Sequence, residues 1–272
     1  MATPATQIIF ALLFCFALSA NIGVAPNQAQ TKTPAKTITK ITATETNNIQ
    51  KLADAIQKHY NQTSSATFNF TQNYKHPFLP SNETSKGQVF FKARNMLWRY
   101  QEPADRQKEF FIADKKFTYH LINDKLAYTH DCFDQDTLSA SITFLWGKGK
   151  VRESFTIKPY TGSVAAKSTT KWLTLIPKEA NAPVKSISLG ADPKTGLVKE
   201  SIVIDPSDGV NHFTFTNFKS NPVIPAATFI FVAKPGVRIQ PMPNVVCPSA
   251  VPPAPVKTPM QPAKKTTVIP KT

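Results

Sequence analysis

The alternation of side chains in residues 87–103 constrains the fold more than any other feature of this sequence. These residues read GQVFFKARNMLWRYQEP. An apolar run around Phe90 leads into a polar, basic turn at residues 92–95, after which Met96, Trp98 and Tyr100 occupy every second position. Successive side chains of a β-strand point to opposite faces. The stretch therefore predicts two antiparallel strands joined by a short turn, with Met96, Trp98 and Tyr100 on one face.

Similar strand-like runs recur along the 272-residue chain, which is long enough for one β domain with tails. Strands are expected at residues 66–74, 109–113, 117–122, 126–130, 152–158, 171–176, 184–189, 198–204, 212–218 and 228–232, with a loop at residues 75–86. In the first of them, Phe68 and Phe70 share an apolar face with Ala66 and Gln72. Regular strands with polar turns predict an antiparallel sheet or barrel rather than βαβ units.

Helical spacing is seen in one segment that precedes these strands. Ile49, Leu52, Ile56 and Tyr60 recur on one side of residues 46–60, and polar residues fill the other side. This pattern predicts a single amphipathic helix.

A second, shorter helix is expected within the strand region. Ile142 and Leu145 lie on one stripe of residues 137–146, Phe144 flanks the stripe, and Gly147 ends the helix. This helix is more apolar than a surface helix should be, so it is a candidate cover for a hydrophobic cavity.

The ends of the chain differ in composition from the middle. Residues 8–20 form one apolar run, IIFALLFCFALSA, that ends in small residues. We expect residues 1–20 to be a cleaved signal peptide, with an uncleaved anchor as the alternative. Residues 21–45 are predicted to be a flexible leader, and residues 241–272, dense in Pro, Ala and Lys, a disordered or extended tail.

Cleavage of the signal would remove Cys15 and leave Cys132 and Cys247. In an oxidising compartment these two either form a disulfide or remain as free thiols. A bridge across so long a loop would stabilise the fold by on the order of 4 kcal/mol.

The sequence contains no convincing catalytic site. None of the five histidines has the spacing of a zinc motif, and phosphate-binding, dinucleotide-binding and G-x-S-x-G sequences are absent. Cys132 near His130 is either a thiol nucleophile or a structural cysteine. The sequence predicts no enzyme, no metal and no cofactor. The net charge of +15 in a secreted chain favours an acidic protein face or a membrane surface as partner over nucleic acid.

The aromatic content is unusual, since the chain has 19 Phe. These rings would either fill a core or line a barrel interior that holds a hydrophobic ligand.

Several segments taken in order resemble the LolA family of periplasmic outer-membrane lipoprotein carriers. They are the hairpin at residues 87–103, FNFTQ at residues 68–72, FLWGKG at residues 144–149 and ATFIFVAKPGVRI at residues 227–239. The resemblance covers residues 46–240. It departs from the family at Ala93, where proline is usual, and at Lys115, where glycine is usual.

The resemblance implies a mainly β fold: an unclosed antiparallel barrel with an N-terminal helix and short lid helices over a hydrophobic cavity. The cavity and lid would then comprise Met96, Trp98, Tyr100, Phe68, Phe70, Ile142, Phe144 and Leu145. The family's basic residue, which contacts the lid and assists release, falls on Lys92, with Arg94 as the alternative.

The resemblance also implies a function without covalent chemistry. A monomeric periplasmic carrier would take triacylated lipoproteins from an inner-membrane lipoprotein-releasing ABC transporter to an outer-membrane lipoprotein receptor. The alternatives are a binding module for another lipid or glycolipid and, less favoured, a lipid or glycan hydrolase.

Overall fold

The structure, a computed structural model, describes residues 43–122, 125–133, 151–162, 164, 170–180, 182, 184–243 and 247. The helices are α1 (Ala43–Asn61), α2 (Val151–Ser154) and two 3₁₀ helices, Ala104–Arg106 and Ala226–Phe229. The strands are β1 (Ser65–Lys75), β2 (Asn82–Lys92), β3 (Asn95–Glu102), β4 (Lys108–Ala113), β5 (Lys116–Leu121), β6 (Leu126–His130), β7 (Phe155–Pro159), β8 (Lys171–Pro177), β9 (Ser186–Ala191), β10 (Val198–Ile204), β11 (Val210–Ser220) and β12 (Arg238–Pro241). Among these residues, no helix is long and apolar enough to cross a membrane.

All twelve strands belong to one sheet, in the order β12-β6-β5-β4-β3-β2-β1-β11-β10-β9-β8-β7. Neighbouring strands are antiparallel except β12 and β6, which are parallel. The two ends of this order, β12 and β7, are not paired with each other in the described part of the chain. The structure thus confirms the prediction of a mainly β fold built on an unclosed sheet with an N-terminal helix.

The first face of the sheet, which we call the helix face, carries helix α1. Ile49, Leu52, Ile56 and Tyr60 are buried in one cluster with side chains of β7 to β10, as their spacing predicted. The same face continues onto β1 to β5, because Phe215 of β11 packs against both halves. One apolar surface therefore spans the two halves of the sheet.

The second face is covered by residues 221–237, which we call the strap. Ile224 and Phe229 of the strap are buried and pack against Leu97 of β3 and Phe111 of β4. We call this the strap face. This packing shields from water the apolar side chains of β3 and β4 that point away from α1.

The predicted strand at residues 228–232 is wrong, because a 3₁₀ helix forms at Ala226–Phe229 and no strand follows until Arg238. The preceding strand, β11, already pairs with β1 and β10 and offers no free edge. The apolar residues of this segment are buried against a face of the sheet instead.

Other boundaries also differ from the sequence prediction, and helix α1 begins at Ala43, inside the predicted leader of residues 21–45. The segment expected as a strand from residue 152 begins as helix α2, because Arg152 binds Asp54 of α1 and the Val151 N–H donates to Gln57 Oε1 at 3.0 Å. Strand β2 begins at Asn82, inside the predicted loop. Strand β9 begins at Ser186, two residues later than expected.

The C-terminal part of the described chain is tied to the sheet beyond the boundary predicted at Pro241. Pro241 is the last residue of β12, and Met242 is buried in the cluster of the helix face. A disulfide joins Cys132 to Cys247, with 5.5 Å between their Cα atoms. Of the two alternatives, the structure contains the bridge. It closes a loop with a sequence separation of 115 residues.

The turn between β2 and β3 explains one departure from the family sequence. Ala93 has a φ of 53°, and its N–H donates to the Ser64 carbonyl at 2.9 Å. Proline fixes φ near −65° and has no N–H, so it suits neither feature. Lys115, in the turn after β4, likewise has a positive φ of 61° where glycine is usual in the family.

We expect Ala93→Pro to lower the free energy of unfolding by at least about 2 kcal/mol, since it opposes the native φ and removes a backbone hydrogen bond. Ala93→Gly is the matched control and should be as stable as the wild type or more so, because glycine adopts positive φ without a Cβ clash. Urea denaturation followed by far-UV circular dichroism measures both. Wild-type stability in the Ala93→Pro protein would contradict the described turn.

Candidate functional site

The five described residues predicted to line a cavity lie together on the helix face. Phe68 and Phe70 come from β1, and Met96, Trp98 and Tyr100 come from β3. Each is less than one tenth exposed, and all belong to one cluster. Strand β2 lies between β1 and β3, and its register aligns the two sets: Phe70 pairs with Gly87, which pairs with Tyr100.

The packing of these rings depends on the glycine that opens the sequence stretch. The Phe70 ring lies 5.0 Å from Trp98 and 4.9 Å from Tyr100, centroid to centroid. A Cβ on Gly87 would lie 2.8 Å from Phe70 Cε1 and would overlap the Arg99 carbonyl oxygen. A larger residue at position 87 would therefore push the Phe70 ring and the β3 backbone away from β2.

The polar atoms of the site are few and lie at the aromatic rings. Trp98 Nε1 is buried and has no hydrogen-bond partner in the described part of the chain. Lys108 Nζ lies 4.5 Å from the centroid of the Tyr100 ring, within the range of a cation–π interaction. The face is thus almost wholly apolar, which suits hydrocarbon better than a polar ligand.

Sequence reasoning missed much of this surface. Phe213, Phe215 and Phe218 of β11 join it: Trp98 lies 5.8 Å from Phe213, and Phe68 lies 5.4 Å from Phe215 and 5.7 Å from Phe218, between ring centroids. Others that pack there are Phe110, Ile112, Phe117, Tyr119, Tyr128, Phe133 and Met242. The alternation of FTFTNF in β11 signals an apolar face, but only the pairing of β11 with β1 brings it to this site.

The basic residue predicted to contact the lid lies on the other side of the sheet. Lys92 follows Gln88 and Phe90 on the strap face, and its Nζ donates to the Ile224 carbonyl of the strap at 3.0 Å. Arg94 lies in the turn that follows. The lid positions Ile142, Phe144 and Leu145 lie outside the described residues, so their contact with either basic residue stays a prediction.

The thiol predicted as a possible nucleophile is part of the disulfide. His130 Nδ1 lies 3.6 Å from Cys132 Sγ, and the candidate ligand atoms of His130, Cys132 and Cys247 lie within 4.8 Å of one another. Burial lowers the pKa of the His130 imidazole, and the Asp131 carboxylate opposes this effect. With both sulfurs joined, neither is a thiolate that could attack a substrate or bind a metal.

A cavity of about 340 Å³ lies on the strap face. Its lining residues are Phe111, Ala113, Asp114, Lys116, Thr118, Thr129, Asp131, Phe229, Ile230, Phe231 and Ile239. The ion pair between Lys116 and Asp131, 2.9 Å from Nζ to Oδ1, is among them. Charged groups make this cavity less suited to hydrocarbon than the helix face.

Comparison with known proteins finds relatives that share one description. The sequence matches the family model described as "Outer membrane lipoprotein carrier protein LolA" over residues 61–232. An outer-membrane lipoprotein carrier protein of Nitrosomonas europaea is 24% identical over 175 residues, which are 62% of this chain and 81% of the relative. One of Bordetella avium is 23% identical over 187 residues, which are 68% of this chain and 85% of the relative.

Among solved structures, a LolA superfamily protein from Nitrosomonas europaea aligns with a TM-score of 0.38 and 11% identity. The alignment covers 66% of this chain and 97% of that structure.

We expect Lys92→Met to lower the free energy of unfolding by about 1 kcal/mol and to speed hydrogen exchange of the strap, because it removes the donor to Ile224. Lys92→Arg keeps a cationic donor at the same place and is the matched control. Hydrogen–deuterium exchange read by mass spectrometry, together with urea denaturation, measures both effects. A Lys92→Met protein that matches the wild type in both would show that this contact does not hold the strap.

Proposed function

The chain belongs to the LolA family of outer membrane lipoprotein carrier proteins, and from this premise we propose that it is a periplasmic carrier of lipoproteins. It shields their acyl chains in the aqueous space between two membranes and carries out no covalent chemistry. It receives triacylated lipoproteins from an inner-membrane releasing transporter and delivers them to an outer-membrane receptor. It works as a monomer with a cleaved signal peptide.

The observation that carries this proposal is the continuous aromatic surface of the helix face. Three strands contribute the rings of Phe70, Trp98 and Phe213, whose centroids lie 5.0 to 6.2 Å apart. Phe215 extends the surface toward α1. Transfer of one methylene group from water to such a surface is favourable by about 0.8 kcal/mol. Acyl chains of a lipoprotein contain many methylene groups, so capture is strongly favourable and release is the harder step.

Release requires a competitor for the apolar surface. We assign this role to the predicted lid at Ile142, Phe144 and Leu145, which would cover the helix face when the carrier is empty and move aside when it is loaded. Lys92 remains the family's basic position by sequence, and its bond to Ile224 supports a role through the strap. Loaded Lys92→Met protein should then deliver cargo to the receptor more slowly than loaded Lys92→Arg protein.

The net charge of +15 supports docking to acidic faces of the transporter and the receptor. Opposite charges raise the rate of encounter more than the final affinity, which suits a carrier that must also leave its partner.

A binding module for a free lipid or glycolipid is the second candidate, since the same apolar face would serve it. Trp98 Nε1, a buried donor without a partner among the described residues, would suit the carbonyl of an acyl group in either ligand. The two candidates differ only in whether the bound molecule is attached to a protein. A hydrolase is less favoured, because Cys132, the candidate nucleophile, is held in a disulfide.

The test is site-specific photo-crosslinking from the two faces of the sheet. Benzoylphenylalanine replaces Tyr128 on the helix face or, as the matched control, Phe90 on the strap face; both positions are half-buried aromatic residues. After incubation with inner-membrane vesicles that hold lipoproteins and the transporter, we expect a lipoprotein adduct from position 128 and none from position 90.

Equal adducts from both positions, or adducts from position 90 alone, would contradict the assignment of the helix face. If position 128 forms adducts with free lipid but never with lipoprotein, the result would favour the second candidate, a binding module for a free lipid or glycolipid.

A further inference from the structure

The hairpin of β1 and β2 extends past β3 at one end of the sheet, while β1 stays paired with β11 as far as Lys75, opposite Val210. Strand β2 pairs with β1 as far as Asn82, opposite Lys75, but its pairing with β3 stops at Lys86, opposite Glu102. Four residues of β2 therefore extend beyond its neighbour, a distance of roughly 13 Å at the usual rise per residue. The tip of this hairpin stands clear of β3.

Two large apolar side chains occupy the tip of the hairpin. Phe78 is 81% exposed and Leu79 is 53% exposed, and they lie between Pro77 and Pro80. Proline fixes one backbone angle on each side of the pair, so less conformational freedom is lost when the tip binds. Exposure of adjacent Phe and Leu has no benefit for the folded monomer in water.

The tip is also oriented by local contacts. The Phe78 N–H donates to His76 Nδ1 at 3.2 Å, and the two rings lie 6.0 Å apart between centroids. His76 in turn lies 5.9 Å from the ring of Tyr74, a buried residue of β1. These contacts link the exposed Phe78 to the core of the sheet.

Two ion pairs lie near the tip, and Lys75, directly before it, is exposed. Lys86 Nζ lies 2.8 Å from Glu102 Oε2, and Arg106 Nη1 lies 2.9 Å from Glu83 Oε2. Residues 76–81 contain no Asp, Glu, Lys or Arg. The tip itself therefore enters a low-dielectric surface without burying a charge, and the long Lys75 side chain can keep its ammonium group in the headgroup region.

A lipid surface fits this tip better than a protein groove. A stable protein interface buries about 800 Å² on each partner, which two side chains do not supply. A bilayer interface needs no complementary shape and accepts Phe and Leu side chains at the boundary between headgroups and acyl chains. We propose that residues 77–80 form a membrane-contacting tip that inserts Phe78 and Leu79 into the surface of a lipid bilayer.

This contact is independent of cargo, because it uses the hairpin tip and not the helix face. Apolar insertion brings the protein to a bilayer surface without a need for anionic lipids. Attraction through the basic net charge of the chain would require them.

The experiment measures association of the full mature chain with phosphatidylcholine vesicles at high salt. These conditions screen charge and leave apolar insertion. We expect the wild type to float with the vesicles and Phe78→Ser/Leu79→Ser to lose at least about tenfold in partition. Because both side chains are exposed, the substitutions should leave the urea midpoint unchanged.

Val223→Ser is the matched control. Val223 is 97% exposed and lies two residues after Asn221, which binds Ser64 at the opposite end of β1 from the tip. Its replacement also removes exposed apolar surface and should leave partition at the wild-type level. The proposal is overturned if the wild type does not float, if the tip variant floats equally well, if Val223→Ser loses as much, or if binding requires anionic lipid and disappears with salt.

Discussion

The pairing of β1 with β11 is the contact on which the rest of the structure depends. It joins a meander of β1 to β6 to a second one of β7 to β11, although the two strands lie more than a hundred residues apart. At this junction the side chains of Gln72 and Asn211 are fully buried and bonded at 2.6 Å. Without the pairing, each half would expose a free strand edge and the aromatic surface would end at β1. The junction brings Phe213 and Phe215 next to Phe70 and makes that surface continuous.

A single sheet has two faces, and the chain treats them differently. On one face, α1 covers only the half that β7 to β10 form, and the other half carries the aromatic cluster. On the other face, the strap buries Leu97 and Phe111 against Ile224 and Phe229. Lys92, β12 and the disulfide to Cys247 all tie this C-terminal region to the sheet. The cover of the strap face supports our proposal that the helix face holds the ligand.

Local patterns were predicted well, and long-range pairings were not. The alternation of Met96, Trp98 and Tyr100 and the helical stripe of α1 depend on a few neighbouring residues, so the sequence was sufficient. The strap and β12 were missed because their positions depend on which face and which strand edge of the sheet remain free after folding. The parallel pairing of β12 with β6 brings together residues more than a hundred positions apart and leaves no local signal. Lys92 illustrates the limit: it ends β2 next to the turn, but its strap contact depends on that same long-range packing.

We propose that the aromatic helix face carries the acyl chains of lipoproteins. The most direct measurement is mass spectrometry of what remains bound to the protein after its purification from the periplasm and incubation with lipoprotein-loaded inner-membrane vesicles. We expect one triacylated lipoprotein for each carrier, which is lost when a receptor is added. Free lipid or glycolipid without a protein, or a carrier that stays empty after incubation with these vesicles and their transporter, would contradict it.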